Sequence, residues 1–142
     1  MLDAARFFQV LSDESRLKIL WLLHHSPEIC VCDLMHVLEI PQPKTSRHLA
    51  TLRHAHLVLD RRQANWTYYS LRTNLGPLEG SILQTLFARL AEDPEAVRLL
   101  HQLEERITLR EAAEAAARSL CKPEDDPVRT KARSRSLQKE SR

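Results

Sequence analysis

Two cysteines, Cys30 and Cys32, are separated by one valine and followed directly by Asp33. Thiolates are soft ligands for thiophilic ions, and a helix N terminus favours the thiolate form. The apolar spacing predicts a helix from about Val31 to Leu38, which places both thiols at its start. Residues i and i+2 of a regular helix lie about 200° apart around the axis. Coordination of one ion by both sulfurs would therefore require the first turn of this helix to unwind or shift.

A basic block follows the cysteines. Residues 41 to 72 contain six Lys or Arg and one acid, a local charge of 6 − 1 = +5. A patch of this sign attracts polyanions. The block begins with a predicted helix, from Gln42 to about Ala55, that turns Thr45, Leu49 and Leu52 inward and leaves its polar residues mostly outward.

The helix of residues 31–38, a short connection ended by Pro41 and this polar-faced helix form a candidate helix-turn-helix. Two β-rich runs, 57–62 and 66–71, predict a hairpin wing after it. Helical patterns over about 3–11, 14–25, 78–90 and 94–120 complete a mainly α winged helix-turn-helix fold of about five to six helices plus a β-hairpin. Such a domain usually reads duplex DNA.

The residues also resemble a family. The segments Ser12–Leu17, Ile29–Leu34, Gln42–Leu49, Asp60–Arg62 and Trp66–Tyr69 are similar, in order, to the ArsR/SmtB repressors. The Cys-Val-Cys-Asp sequence resembles the arsenic- and antimony-responsive branch, which implies a homodimeric, non-enzymatic repressor that As(III) or Sb(III) releases from double-stranded operator DNA. In that interpretation Cys30 and Cys32 are the metal ligands. Met35 stands where relatives often carry a further cysteine, which leaves Cys121, a small thiol or water as the third donor.

The start of the polar-faced helix is the part that normally meets base edges and phosphates. The wing tip is expected to meet flanking phosphates and, through Asn65 or Gln63, the minor groove. The predicted DNA-binding residues are Gln42, Lys44, Ser46, Arg47, His48, Arg61, Arg62 and Asn65.

The chain of 142 residues fits one domain, predicted over 1–120, followed by a basic tail over 121–142 that is expected to be disordered. No apolar run is long enough for a membrane span or a signal core, which predicts a cytoplasmic protein without a membrane partner. The apolar stripes of the last two helices exceed the needs of a small core, which favours a homodimer.

Four alternatives stay open. Sensing of cadmium, lead or zinc would keep the fold, although no cysteine precedes Cys30 and His101 with Glu104 is a weak zinc pair. A dithiol redox regulator would also keep the fold. The cysteines could be small buried hydrophobic residues. A thiol-based enzyme lacks the Cys-x-x-Cys spacing and a clear acid or base partner beyond Asp33.

Two positions where relatives often have glycine carry His56 and Ala64 here. Left-handed backbone at a non-glycine residue costs roughly 1 kcal/mol. Because asparagine tolerates such angles better than alanine, Asn65 is expected to take the left-handed position of the wing.

Overall fold

The computed structural model describes residues 1–120. They form six helices and three short strands, which confirms the mainly helical winged fold. In chain order the elements are α1 (Leu2–Leu11), α2 (Glu14–His25), β1 (Ile29–Cys30), α3 (Val31–Leu38), α4 (Gln42–His54), β2 (Val58–Gln63), β3 (Trp66–Leu71), α5 (Pro77–Leu90) and α6 (Pro94–Leu120).

The predicted hairpin is part of a three-stranded antiparallel sheet with the order β1-β3-β2. Strand β1, which the sequence analysis did not predict, pairs Ile29 with Tyr69 and Cys30 with Tyr68. A two-residue strand is too short to show alternation, and its partner lies almost forty residues later in the chain. The pairing brings the first cysteine to the base of the wing.

Helix α2 occupies the centre of the core, where the consecutive residues Ile19 to Leu23 are all buried. The indole Nε1 of Trp21 donates a hydrogen bond to the carbonyl oxygen of Ala96 at 2.8 Å, which ties α2 to the start of α6. Polar residues cap both helices. The Asp13 carboxylate accepts from the amide of Arg16 at 3.1 Å, and that of Asp93 accepts from the amide of Ala96 at 3.2 Å.

Helix α4 turns its apolar face inward as predicted, since Thr45, Leu49 and Leu52 have no exposed surface. Leu34 of α3 belongs to the same core. The helix-turn-helix is therefore fixed by packing on α2 and the sheet, and its opposite face is free for contacts.

The wing corrects one prediction. Ala64 has a positive φ of 52°, whereas Asn65 is absent from the non-glycine residues with positive φ. Gln63 pairs with Trp66, so the loop has two residues, and a positive φ at the first of them alone is typical of a type II′ turn. The turn position, rather than the preference of the residue type, decides which one is strained. His56 has a φ of 57°, as expected of a position where relatives often carry glycine.

Contacts divide the chain into two compact units. Residues Met1–Thr108 form the first, and the second begins at Leu109 within α6. In the second unit the described residues are helical to Leu120, and Arg110 and Glu114 form an ion pair at 2.8 Å. Residues 121–142 lie outside the described part, so Cys121 as a donor, the disordered tail and the boundary at 120 stay predictions. No helix within residues 1–120 is long and apolar enough to cross a bilayer.

Candidate functional site

The two thiols meet where β1 passes into α3. Cys30 is the N-cap residue, with extended backbone (φ −68°, ψ 142°), and Cys32 lies in the first turn. Their Sγ atoms are 3.3 Å apart. The expectation that an intact helix would keep the sulfurs apart is therefore wrong, because Cys30 lies outside the helix and its side chain turns back over the first turn. No unwinding is needed to bring the sulfurs together.

The thiols differ in exposure. Cys30 is 1% exposed, and Cys32 is half-buried. Burial, the hydrogen bond to Cys30 and the nearby negative charges of Cys30 and Asp33 raise the pKa of Cys32 to about 11. Burial and the neighbouring negative charges thus oppose the thiolate form of Cys32, whereas the expected effect of the helix N terminus favours it.

Both cysteines line a cavity of about 660 Å³, here called the thiol groove. It extends from the thiols past α3 and α4 to the wing. Four of its lining residues are predicted DNA contacts, namely Gln42, Ser46, Arg62 and Asn65. The groove therefore joins two groups of residues that the sequence analysis had treated as separate sites.

Asp33, directly after the second thiol, is fully buried and accepts a hydrogen bond from Nε of Arg106 at 3.2 Å. Arg106 also lines the thiol groove. Sequence analysis missed this arginine because 73 residues separate it from Asp33 and nothing in the local pattern of α6 marks it. The ion pair connects the thiol-bearing helix to the last helix.

Most of the predicted DNA-binding residues lie at the surface. The exposed ones are Gln42, Lys44, Ser46, Arg47, Arg61, Arg62 and Asn65. On α4, Arg47 lies opposite the buried Thr45 and Leu49, and Lys44 and Ser46 flank that side, as in a helix that enters the major groove. Gln42 lies on the side of Leu49, with which it lines the thiol groove.

His48 is the exception, because it is only 8% exposed and not outward as expected. Its Nδ1 lies 3.8 Å from Oδ1 of Asp13 at the start of α2. Burial lowers the pKa of His48, an effect that the Asp13 charge opposes and the charges of Arg16 and Lys44 reinforce. In this structure the residue supports the position of α4 and does not present its ring to solvent.

The two wing arginines differ. Arg61 donates to both carboxylate oxygens of Glu28, at 3.1 Å and 2.5 Å, and lies 4.8 Å from the ring centroid of Tyr68. Arg62 is exposed and forms no ion pair with another residue of the described chain. Arg62 is therefore the more available of the two for a phosphate or another anion.

His101 and Glu104, the weak zinc pair of the sequence analysis, do not form a built metal site. His101 Nδ1 lies 4.0 Å from Glu104 Oε2, and both side chains are mostly exposed. Within residues 1–120, no three His, Cys, Asp or Glu side chains are grouped so that they could hold a metal ion.

Comparison with known proteins matches residues 13–59 to the profile described as bacterial regulatory protein, arsR family. The chain is 39% identical over 94 residues to the arsenic resistance transcriptional regulator ArsR1 of Pseudomonas putida, which covers 65% of this chain and 73% of the relative. It is 40% identical over 92 residues to the arsenical resistance operon repressor of Escherichia coli. This match covers 65% of this chain and 79% of the repressor.

Among solved structures, HlyU from Vibrio cholerae matches with a TM-score of 0.52 and 30% identity, over 61% of this chain and 94% of that one. The profile match covers the helix-turn-helix and the thiols, and the relatives extend the similarity over most of the first unit. This chain belongs to the arsR family of bacterial regulatory proteins, and it is a DNA-binding transcription regulator and not an enzyme.

Proposed function

We propose that this protein is a repressor that binds operator DNA as a homodimer and is released when As(III) or Sb(III) binds Cys30 and Cys32. One observation carries the proposal: the Sγ atoms are 3.3 Å apart in a groove whose lining includes four predicted DNA contacts. The relatives named for arsenic resistance are in keeping with it.

The separation of the sulfurs favours a trivalent metalloid over a tetrahedral metal. With a bond of about 2.3 Å to each sulfur, atoms 3.3 Å apart subtend about 90° at the shared atom. Trivalent arsenic and antimony carry a lone pair that compresses their bond angles towards a right angle. A tetrahedral zinc with the same bonds would need sulfurs about 3.8 Å apart. The separation of the two sulfurs is thus closer to that of a pyramidal ion than to that of a tetrahedral metal.

The binding step balances without a base. Arsenous acid, As(OH)₃, exchanges two hydroxides for the two cysteine sulfurs; two As–S bonds form, two As–O bonds break, and the thiol protons leave in two waters. No electrons are transferred. The product keeps one hydroxide as its third ligand and lies at the end of the thiol groove.

Competition for the groove explains release. A metalloid on the thiols occupies one end of the groove that Gln42, Ser46 and Arg62 also line, so its binding competes with the positions that these residues take on DNA. Conversion of a repressor from 1% to 99% released needs about 5.5 kcal/mol of preference for the released state. The free energy gained from two bonds to sulfur, less that of the polar DNA contacts that are lost, is of this order.

The same helix and wing bind DNA in this proposal. Lys44 and Arg47 are exposed on α4 and meet bases or phosphates, while Arg62 meets a flanking phosphate. Contacts of this kind position the protein and weaken as salt is added.

A second copy of the chain covers the exposed apolar residues. Leu2 and Phe8 on α1 are 65% and 52% exposed, and Leu78 on α5 is 45% exposed. Apolar surface of this extent on neighbouring elements favours self-association, and a twofold dimer reads a palindromic operator.

A dithiol redox regulator is the second candidate, since sulfurs 3.3 Å apart need to approach by little more than 1 Å to reach the disulfide length of about 2.05 Å. In that case an oxidant such as peroxide, rather than a metalloid, releases DNA: each thiol loses an electron and a proton, and peroxide is reduced to two waters.

The test uses a duplex selected by the reduced protein from random sequences, labelled for fluorescence anisotropy. As(III), Sb(III), Cd(II), Zn(II) and peroxide are titrated against wild type, Cys30→Ser and Cys32→Ser, with Cys121→Ser as the matched thiol control. We expect As(III) and Sb(III) to release wild type and Cys121→Ser but neither of the other variants. Release by peroxide or Cd(II) alone, or an undiminished response of Cys30→Ser and Cys32→Ser to As(III), would contradict the proposal.

A further inference from the structure

Two protein sulfurs give a three-coordinate metalloid only two sulfur ligands, and a hydroxide holds the third position. Residues 1–120 contain only Cys30 and Cys32 as thiols. Met35, one turn after Cys32, lines the thiol groove, but its thioether is a neutral and much weaker donor than a thiolate. A third sulfur in place of that hydroxide would come from outside this part of the chain.

The thiol groove has the size and charge for a small anionic molecule. Its volume of about 660 Å³ lies within the range of about 300–1,000 Å³ that small-molecule sites occupy. Three arginines line it. Arg53 pairs with Asp60 at 3.3 Å and Arg106 with Asp33 at 3.2 Å. Arg62 has no acidic partner among the described residues, so the groove presents one uncompensated guanidinium.

The lining also provides neutral hydrogen-bonding groups. Gln42 and Asn65, which carry amides, and Ser46, which carries a hydroxyl, line the same cavity as the thiols, and the Gln42 amide donates a hydrogen bond to the Ser46 hydroxyl at 3.2 Å. A guanidinium recognises a carboxylate through charge-assisted hydrogen bonds, and amides or hydroxyls in the same groove can add further hydrogen bonds. The groove thus offers sulfur ligation at one end and carboxylate recognition along its length.

From these features we infer that the inducer is a ternary adduct, in which a small carboxylate-bearing thiol supplies the third sulfur and places a carboxylate on Arg62. This inference rests on the proposed function. In the added step the thiol replaces the remaining hydroxide: one As–S bond forms, one As–O bond breaks, and the thiol proton leaves with that hydroxide as water.

The adduct explains release better than the bare metalloid does. Arg62 is a predicted phosphate contact, and an arginine held by a ligand carboxylate is no longer available to DNA. The thiol also fills the groove beside α4, where an arsenic atom with a hydroxide would leave most of the volume to water. The third ligand therefore couples the thiol site to the DNA-binding residues.

The experiment uses the full chain with Cys121→Ser, reduced with a phosphine so that no other thiol is present. As(III) is added with glutathione, with L-cysteine or with cysteamine, which has the same thiol but no carboxylate. Each thiol also binds arsenic in solution and so lowers the concentration of free As(III). The effects of the three thiols on DNA release are therefore compared with one another and not with the thiol-free sample. Arsenic X-ray absorption counts the sulfur ligands, and anisotropy measures the As(III) concentration needed for release.

We expect three sulfur ligands with glutathione and two without an added thiol. Glutathione and cysteine should lower the As(III) concentration for half-release about tenfold more than cysteamine does. Arg62→Gln should abolish the difference between the thiols, whereas Arg53→Gln, in the same groove but paired with Asp60, should largely keep it.

Several results would overturn the inference and leave the proposed function intact. One is equal activity of the three thiols; another is three sulfurs around arsenic in thiol-free wild type that fall to two in Cys121→Ser, which would identify Cys121 as the donor. Failure of As(III) to bind wild type with any thiol, or equal binding by Cys30→Ser, would instead refute the proposed function.

Discussion

Nε of Arg106 on α6 donates a hydrogen bond to the fully buried carboxylate of Asp33, 3.2 Å away, immediately after the second thiol. Removal of the guanidinium weakens the compensation of a buried charge. Because the Arg106 side chain is about a third exposed (32%), solvent screens part of the interaction. We expect Arg106→Ala to lower the free energy of unfolding by about 1–3 kcal/mol, measured by urea denaturation.

Arg98→Ala is the matched control, since Arg98 lies on the same helix and is exposed. Its effect should remain within about 0.5 kcal/mol. Equal effects of the two substitutions would show that the Asp33 pair contributes no more than a surface arginine.

Local periodicity accounts for most of the elements. The spacing of Thr45, Leu49 and Leu52 predicted the buried face of α4, and the apolar periodicity predicted the helices of the described residues. Each of these features depends on neighbours within one or two turns. The cysteine pair was also found from the sequence, because its residue types and spacing suffice to indicate soft ligation.

Features that depend on distant parts of the chain were missed. The pairing of Cys30 with Tyr68 keeps this cysteine out of the helix, and the assumption that both thiols were helical led to the wrong geometry. His48 has a polar side chain on a polar face, yet it is only 8% exposed and its ring lies 3.8 Å from Asp13, the N-cap residue of α2. Neither sheet pairing nor packing between helices can be read from a window of ten residues.

The strain at the wing turn can be measured by substitution. Ala64→Gly removes the Cβ of a residue whose φ is 52° and should stabilise the protein by up to about 1 kcal/mol. Asn65→Gly, one residue later, removes no such strain and should be neutral or slightly destabilising. Thermal unfolding distinguishes them. A larger gain from Asn65→Gly would place the left-handed residue at position 65, as first expected from the sequence.

The reactivity of Cys32 should depend on pH. With its pKa raised to about 11, the thiol is protonated at neutral pH, and its alkylation rate should rise about tenfold per unit up to about pH 10. Iodoacetamide labelling followed by peptide mass spectrometry measures this rate. Cys30→Ser removes a thiol whose hydrogen bond and charge raise the Cys32 pKa, so the same profile should shift to lower pH. A plateau below pH 9 in wild type would contradict the assignment.

The ion pair between Glu28 and Arg61 should restrain DNA binding by the wing. Both oxygens of the Glu28 carboxylate accept hydrogen bonds from Arg61, so a phosphate has to compete with a bidentate partner. Glu28→Gln should tighten DNA binding several-fold and steepen the plot of log affinity against log salt by about one, because one more phosphate contact forms. Anisotropy titrations at several salt concentrations measure both quantities.

Glu105→Gln changes the net charge equally, at an exposed position on α6, and controls for that charge. Arg62 has no acidic partner in the described chain, whereas Arg61 is paired with Glu28. Arg62→Gln should therefore weaken DNA binding more than Arg61→Gln. If Glu28→Gln and Glu105→Gln tighten binding equally, only net charge matters, and the ion pair does not hold Arg61 away from DNA.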